Sequence, residues 1–309
     1  MIRLGLCCQF ATEPIVFRRG TAAALRGLDR PCQLAKLGEV ARHNAAALAR
    51  ALAFCAAHGI GAFRVNSQIL PLRTHPEVGY RVADLPGASE IVQCFVDCGR
   101  SAQAHGLRLS FHPDQFVVLS SPDPDVCRRS VAELLYQAEV AEWLGAEVIN
   151  LHGGGAYGDK PAALARLRET LEGLPDALRR RLTLENDDRV YSPSELLPLC
   201  RAVGIPLVYD VHHHRCLGDG LDEAAATAAA VATWGGREPW FHLSSPRAGW
   251  QGPAPRQHAD VIDPSDFPAA WRGLSATVDI EAKAKECAIA RLRQELTRQG
   301  LRLWPERTG

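Results

Sequence analysis

The segment Leu182-Thr-Leu-Glu-Asn-Asp187 shows the pattern from which the fold of this chain can be inferred. A short apolar run ends in the carboxylate of Glu185, and a polar loop follows. An Ala- and Arg-rich stretch with helical spacing precedes the run. Continuous apolar runs between helical stretches are typical of parallel strands, because helices cover both faces of such a sheet.

The same arrangement recurs along the chain. Further apolar runs each end in one side chain of a type that binds metals, namely His112, His152, Asp210, His242 and Glu281. Two earlier strands, near Arg3–Cys7 and Gly61–Asn66, complete eight alternations of strand and helix. Eight such units predict an α/β fold of the (β/α)8 TIM-barrel type. No linker rich in Gly or Ser interrupts the pattern, so we assign residues 1–309 to a single domain.

The composition limits the class of protein. A chain of 309 residues with 47% hydrophobic content is typical of a globular protein. It has no run of about 18 apolar residues and no leader-peptide pattern, so we expect a cytoplasmic protein without membrane contact. Its ten cysteines include no C-x-x-C pair, which argues against a disulfide framework or a zinc ribbon. Lys+Arg and Asp+Glu both number 35, so net charge does not indicate a nucleic-acid partner.

The residues that end the strands are expected to meet in space. In a (β/α)8 barrel the carboxyl ends of the strands lie on one rim, where the active sites of such barrels are found. Three imidazoles and three carboxylates crowded there would be costly to bury without cations between them. The mixed nitrogen and oxygen ligand set suits Mn²⁺ or Zn²⁺ better than Ca²⁺.

Loop residues add candidates at the same rim. His75 follows the second strand, and His258 follows the seventh. Of the three histidines in Asp210-Val-His-His-His214, we favour His213. The pair Gln115-Phe116 places an aromatic residue in the loop after the third strand. A large apolar side chain in an exposed loop usually has a packing or binding role. One explanation is a lid that packs over the mouth of the barrel.

Two classes of reaction fit several metal ions at the rim of a barrel. The ions can promote hydrolysis of a phosphodiester, or they can polarise the hydroxyl and carbonyl groups of a sugar during isomerisation. An open groove lined by arginines would favour DNA, whereas a closed pocket of sugar size would favour isomerisation. The loop arginines expected to line such a groove are Arg18, Arg19, Arg73, Arg189 and Arg247.

Several segments in their order along the chain resemble the UV damage endonucleases, which are metal-dependent DNA repair nucleases. These segments are Phe111-His-Pro-Asp-Gln-Phe116, Asn150-Leu-His152, Leu184-Glu-Asn186, Tyr209-Asp-Val-His-His213, His242-Leu-Ser-Ser245 and Val278-Asp-Ile-Glu281. That family is similar in fold to endonuclease IV and, more distantly, to xylose isomerase. The resemblance implies cleavage of damaged double-stranded DNA immediately 5′ to a UV photoproduct, leaving a 3′-hydroxyl.

The resemblance also implies roles for individual residues. Two or three divalent ions, Mn²⁺ foremost with Zn²⁺ or Co²⁺ as alternatives, would be held by His75, His112, His152, Glu185, Asp210, His213, His242, His258 and Glu281. Glu185, Asp210 and Glu281 would be catalytic, with Glu185 bridging two ions. Gln115 and Phe116 would bind DNA by entering the duplex where the damaged dinucleotide is flipped out. Phe116 stands where the family has a tyrosine.

The sequence departs from the family at several positions. Trp240 stands where the family can carry a modified lysine, two residues before His242. Leu6 and Phe10 stand where polar contacts from the first strand are expected. These departures predict a divergent subgroup with altered lesion binding. A metal-dependent sugar isomerase or epimerase is the alternative, since it would explain the metals and the neutral charge but not the aromatic wedge. No obligate protein partner is indicated.

Overall fold

Eight parallel strands close into a barrel in sequence order, with the last strand paired to the first. The computed structural model describes residues 1–305, so residues 306–309 of the assigned domain lie outside the described part. The strands are β1 (Ile2–Cys7), β2 (Ala62–Val65), β3 (Arg108–Phe111), β4 (Val148–His152), β5 (Leu182–Glu185), β6 (Leu207–Asp210), β7 (Trp240–Leu243) and β8 (Ala276–Ile280). The predicted (β/α)8 fold is confirmed.

Helices on the outside of the barrel connect the strands. They are α1 (Ala22–Arg26), α2 (Arg30–His58), α3 (Ala88–Ala104), α4 (Pro124–Leu144), α5 (Lys160–Glu172), α6 (Asp176–Arg179), α7 (Pro193–Val203), α8 (Val211–Cys216), α9 (Glu223–Ala232) and α10 (Lys285–Arg298). Helix α2 shows how the sequence sets their ends. The side chain of Asp29 accepts the N–H of Cys32 at its start, and Gly59 ends it with a φ of 68°.

Some helices differ from those that the sequence predicts. The single helix predicted from Pro161 to Arg179 is broken into α5 and α6, because Pro175 lacks the N–H that would continue it. The predicted helix over residues 267–273 is only a 3-10 turn at Ala269–Trp271. Helix α8 was not predicted. It begins directly after β6, so the chain turns at the rim of the barrel.

The barrel interior below the rim is filled by apolar side chains. Trp240 is 1% exposed and packs in a cluster with Ala62, Val148 and Val208. The guanidinium of Arg108 lies over its ring at 4.6 Å. Arg108 begins β3 and donates to Thr277 at 2.7 Å, so a polar contact lies at the amino end of the strands, whereas the metal-type side chains lie at the rim formed by their carboxyl ends.

Bilayer-spanning helices are absent from the part of the chain that the structure describes, since none of its helices is both long and apolar enough.

Candidate metal centre

Sheet register places the strand-end residues beside one another. His152 at the end of β4 is paired with Glu185 at the end of β5. Asp210 at the end of β6 is paired with His242 in β7. Glu185 itself pairs with Val208, two residues before Asp210, and the tilt and stagger of the strands in a closed barrel bring the two pairs to one level at the rim.

Glu185 lies at the centre of this level, and its carboxylate is 1% exposed. His112 Nε2 is 3.0 Å from Oε2, and His242 Nδ1 is 2.9 Å from Oε1. His213 Nδ1 lies 3.5 Å from Oε1, and the Asn150 amide donates to Oε2. Burial alone would raise the pKa of Glu185, but the surrounding imidazoles and their hydrogen bonds hold it well below its usual range.

Three overlapping groups of ligand atoms surround this carboxylate. They are His112–His152–Glu185, Glu185–Asp210–His213 and Asp210–His242–Glu281, and within each group the ligand atoms lie within 4.8 Å of one another. Glu185 and Asp210 each belong to two groups. The structure thus brings seven of the nine predicted ligands into groups that can hold metal ions, with Glu185 in a position to bridge.

The hydrogen bonding of Asp210 tests whether these residues fit a cation. Its Oδ1 accepts the backbone N–H of His213 at 2.8 Å, because Asp210 caps the start of α8. Its Oδ2 is fully buried and has no hydrogen-bond partner among the described residues. A buried carboxylate oxygen without a donor is costly unless a cation or water fills the gap. The nitrogen and oxygen donors therefore fit divalent ions of the Mn²⁺, Co²⁺ or Zn²⁺ type.

Helix α8 selects one of the three consecutive histidines for the centre. His213 Nδ1 lies 3.0 Å from the carbonyl oxygen of Asn186. His214 points elsewhere, toward the hydroxyl of Tyr209 at 2.7 Å and the carboxylate of Asp219 at 2.9 Å. Burial would lower the pKa of His213, but the nearby carboxylates raise it to about 9.

The two loop histidines that were predicted as ligands lie outside the three groups. His258 Nδ1 is 3.7 Å from Glu281 Oε2, at the edge of the third group. His75 Nδ1 accepts the backbone N–H groups of Glu77 at 3.1 Å and Val78 at 3.3 Å. A neutral ring that accepts at Nδ1 carries its proton on Nε2. His75 would have to leave this turn before it could bind a metal.

Arg64 is a buried residue of the centre that the sequence analysis missed. Its guanidinium donates to Asp279 Oδ2 at 3.0 Å, to Glu281 Oε1 at 2.7 Å and to His242 Nε2 at 2.9 Å. Burial would raise the pKa of Glu281, but Arg64 and His242 lower it strongly. A charged residue inside the apolar strand Ala62-Phe-Arg-Val65 was the available signal.

A cleft of about 690 Å³ opens beside Glu281 and His258. Its other lining residues are Cys7, Cys8, Gln9, Arg64, Arg256, Gln257, Ala282, Lys283 and Lys285. The five loop arginines expected to line a groove do not line this cleft, whose cations come from β2 and from the segments after β7 and β8. Leu6 is buried in the core, and Phe10 packs edge-on against Phe54 at 5.3 Å, so neither residue lines the cleft.

The tip of the loop after β3 stands out from the surface. Phe116 is 78% exposed, and Gln115 beside it is also exposed. The backbone N–H of Phe116 donates to Asp114 Oδ1 at 3.0 Å, which holds the tip in a turn. A lid packed over the barrel mouth would bury this ring, so the observed conformation does not match that explanation.

Lower-identity structures share the barrel. Endonuclease IV from Thermus thermophilus aligns with a TM-score of 0.56 and 21% identity, covering 81% of this chain and 94% of that one. A D-psicose 3-epimerase aligns with a TM-score of 0.52 and 18% identity, covering 75% and 78% of the two chains. At such identities the likeness shows the fold alone.

Closer relatives define the family. The UV DNA damage endonuclease of Bacillus pumilus is 39% identical over 259 residues, covering 80% of this chain and 78% of that protein. That of Deinococcus radiodurans is 37% identical over 306 residues, covering 94% of each. The crystal structure of SacUVDE aligns with a TM-score of 0.86 and 26% identity, covering 98% of this chain and 100% of that one. The family model for UV-endonuclease UvdE matches residues 2–302, and the chain belongs to this family.

Proposed function

We propose that the protein is a metal-dependent endonuclease that hydrolyses damaged double-stranded DNA immediately 5′ to UV photoproducts and leaves a 3′-hydroxyl. The observation that carries this proposal is the set of three overlapping ligand groups around Glu185, in a chain of the UvdE family. Two or three divalent ions would bind, with Mn²⁺ favoured over Zn²⁺ or Co²⁺. The enzyme would act in the cytoplasm without an obligate protein partner.

The proposed ligands are the nine residues inferred from the sequence. Seven of them form the three groups, His258 lies beside the third, and His75 would join after releasing its backbone contacts. When bound by these residues, divalent ions would lower the pKa of an attacking water and would neutralise charge on the phosphate and the departing 3′-oxygen.

The three proposed catalytic carboxylates have distinct surroundings in this chain. Glu185 accepts hydrogen bonds from His112 and His242, which fixes the direction of both rings. Asp210 Oδ2 has no hydrogen-bond donor among the described residues and lies 3.5 Å from His213 Nδ1, so it can hold a cation or accept a proton from water. Glu281 is held by Arg64 at 2.7 Å and faces the cleft.

The exposed loop tip is proposed to recognise the lesion. Phe116 presents a rigid apolar ring and Gln115 a polar side chain, which suits insertion between base steps. Extruding a nucleotide costs a few kcal/mol, and less where a photoproduct has already weakened stacking. That difference would supply part of the preference for damaged DNA. Phenylalanine in place of tyrosine keeps the stacking face.

A sugar isomerase or epimerase remains the second candidate because the metal groups and the barrel are compatible with it. The cleft, however, is open. Arg64 and Arg256 in its lining are paired with carboxylates, but Lys283 and Lys285 add positive charges. A neutral sugar has no charge to pair with these lysines. A sugar substrate also gives no role to an exposed aromatic residue at the rim. These two features favour DNA as the substrate.

Incision of a defined substrate tests the proposal. We would incubate the protein and Mn²⁺ with an end-labelled duplex that carries one pyrimidine photoproduct, and with the undamaged duplex. We expect incision immediately 5′ to the lesion only, with ends that a polymerase extends. Glu185→Gln should abolish incision, because it removes the charge shared by two ligand groups.

Glu172→Gln is a matched control, since Glu172 pairs with Arg168 on the surface of α5 at 2.8 Å. It should incise like the unmodified protein. Absence of incision on both duplexes with Mn²⁺, Mg²⁺, Co²⁺ and Zn²⁺ would contradict the proposal. Ketose sugars would then be the next substrates to assay.

A further inference from the structure

The cleft beside the metal centre has two walls with fixed backbones. In the wall after β8, Lys283 N donates to the carbonyl of Ala259 at 3.1 Å, and Ala284 N donates to that of Asp260 at 2.9 Å. Lys285 has a φ of 47°, a left-handed conformation that is rare outside glycine. These features hold the two lysine Cα positions in place before any ligand arrives.

The opposite wall follows β1 and is also fixed. Cys8 N donates to the carbonyl of Arg64 at 3.0 Å, and Cys8 has a φ of 61°. The buried carboxylate of Glu286, in the first turn of α10, accepts the N–H groups of Ala11 at 2.8 Å and Thr12 at 2.7 Å. Glu286 thus joins the β1 wall to the β8 wall. A cleft with such walls loses little conformational entropy on binding.

The cations of the cleft divide into two kinds. Arg64 is committed to Asp279 and Glu281, and Arg256 lies 3.2 Å from the carboxylate of Asp188. Within residues 1–305, no hydrogen bond or ion pair is formed by the ammonium groups of Lys283 and Lys285, although both residues line the cleft. Two positive charges without a partner in that range therefore lie next to the proposed metal ligands Glu281 and His258.

We infer that this cleft binds a phosphodiester group of DNA that adjoins the scissile one, with Lys283 and Lys285 as its contacts. The inference rests on the proposed function and deepens it. An ammonium group contacts phosphate oxygens without a strict geometry, which suits a backbone that passes through an open cleft.

Salt dependence of binding tests the inference. Fluorescence anisotropy would measure the affinity of damaged and undamaged duplexes in EDTA across a range of salt concentrations. The comparison includes Lys283→Met, Lys285→Met, the double variant, and Lys36→Met as a control, because Lys36 is exposed on α2 away from the cleft lining. The slope of log affinity against log salt should become shallower by about 0.9 in the double variant, which loses the whole phosphate contact, and by part of that amount in each single variant. Lys36→Met should leave it unchanged.

Neutral phosphates locate the contact along the strand. Duplexes with one methylphosphonate at each position near the lesion should show one position that weakens binding of the unmodified protein but not of the double variant. Lysine-to-arginine variants should retain the slope, and thermal unfolding should show that all variants are folded.

Slopes and methylphosphonate profiles that match those of the unmodified protein would overturn the inference, even if incision is observed. Conversely, absence of incision with shallower slopes in the variants would overturn the proposed reaction and leave the phosphate site supported. Because binding is measured without metal, the two failures are distinguishable.

Discussion

Replacing Arg64 by methionine is the perturbation whose effect can be worked out most directly from the structure. The side chain is 9% exposed, and its guanidinium contacts Asp279 at 3.0 Å, Glu281 at 2.7 Å and His242 at 2.9 Å. Methionine keeps an unbranched stem but provides no donor and no charge. Asp279 Oδ1 already lacks a partner among the described residues, so the variant leaves two poorly compensated carboxylates.

The expected cost follows from the burial of these groups. Removing one partner of a buried ion pair destabilises a protein by about 3–5 kcal/mol, because the other charge stays buried without compensation. In proteins larger than 150 residues, each kcal/mol of destabilisation lowers the Tm by at least about 2 °C. We therefore expect Arg64→Met to lower the Tm of the metal-free protein by roughly 6–10 °C.

Thermal unfolding in EDTA measures this shift. Arg128→Met is the matched control, because Arg128 pairs with Asp125 at 2.7 Å with 73% of its side chain exposed. An exposed pair of this kind contributes about 0–1 kcal/mol. Saturating Mn²⁺ should recover part of the loss, since cations at the third ligand group would compensate Glu281. Equal Tm values for Arg64→Met and Arg128→Met in EDTA would refute the reasoning.

Three further predictions follow from single residues. Phe116→Ala should lower the binding preference for a photoproduct duplex over an undamaged duplex about tenfold, since base stacking on an aromatic contributes about 1–3 kcal/mol. Fluorescence anisotropy measures the affinity for both duplexes. An equal loss of affinity for the two duplexes would contradict insertion of Phe116 at the lesion. Despite the opposing effect of burial, nearby carboxylates raise the pKa of His213 to about 9. Mn²⁺ must displace this proton, so the affinity for Mn²⁺ should rise from pH 7 to 9 and binding should release a proton. Calorimetry in buffers of different ionisation enthalpy measures both the affinity and the proton release. A Mn²⁺ affinity that does not change with pH would contradict the role of His213 as a ligand. Gly5→Ala should destabilise by about 1–3 kcal/mol, because its Cβ would collide with Asp279; Gly27→Ala, with open space around it, is the control in thermal unfolding.

The pH prediction has a counterpart in the metal-free protein. A histidine whose folded-state pKa is raised stabilises the folded state fully below its unfolded pKa of about 6.5. That contribution is lost as the pH rises through the folded value of about 9. Metal-free stability should therefore decrease between these two values while Mn²⁺ affinity increases. Chemical denaturation in EDTA at several pH values measures the first trend.

The strand-end residues could be predicted from sequence because a regular sheet determines where they lie. An apolar run of four or five residues identifies a strand, and the barrel brings every strand end to the same rim. His152 and Glu185 are paired in register as this argument requires. The position of His213 could be predicted for a related reason, since His213 follows the strand-end residue Asp210 by less than one helical turn of α8.

Loop residues could not be placed in the same way. The position of His75 depends on a turn in which its own ring accepts two backbone N–H groups. A polar side chain that bonds to its neighbouring backbone competes with any long-range role, and sequence spacing does not show which contact prevails. The same difficulty explains why the five loop arginines were a poor guide to the cleft, whose free cations lie at the start of α10 and just before it.

Arg64 shows what remains hidden even inside a regular strand. Its partners Asp279 and Glu281 lie on β8 and directly after it, more than 200 residues away in sequence. The side chains that bind metals at strand ends are carboxylates and imidazoles, and a guanidinium is not among them. Yet four acidic groups, Glu185, Asp210, Asp279 and Glu281, converge on a buried volume that must fold before metal ions can bind there. The permanent charge of Arg64 compensates Asp279 and Glu281 at that stage, and the imidazole of His213 lies 3.5 Å from both Glu185 and Asp210. The centre is thus arranged by the protein's own cations, and metal ions would enter ligand groups that are already formed.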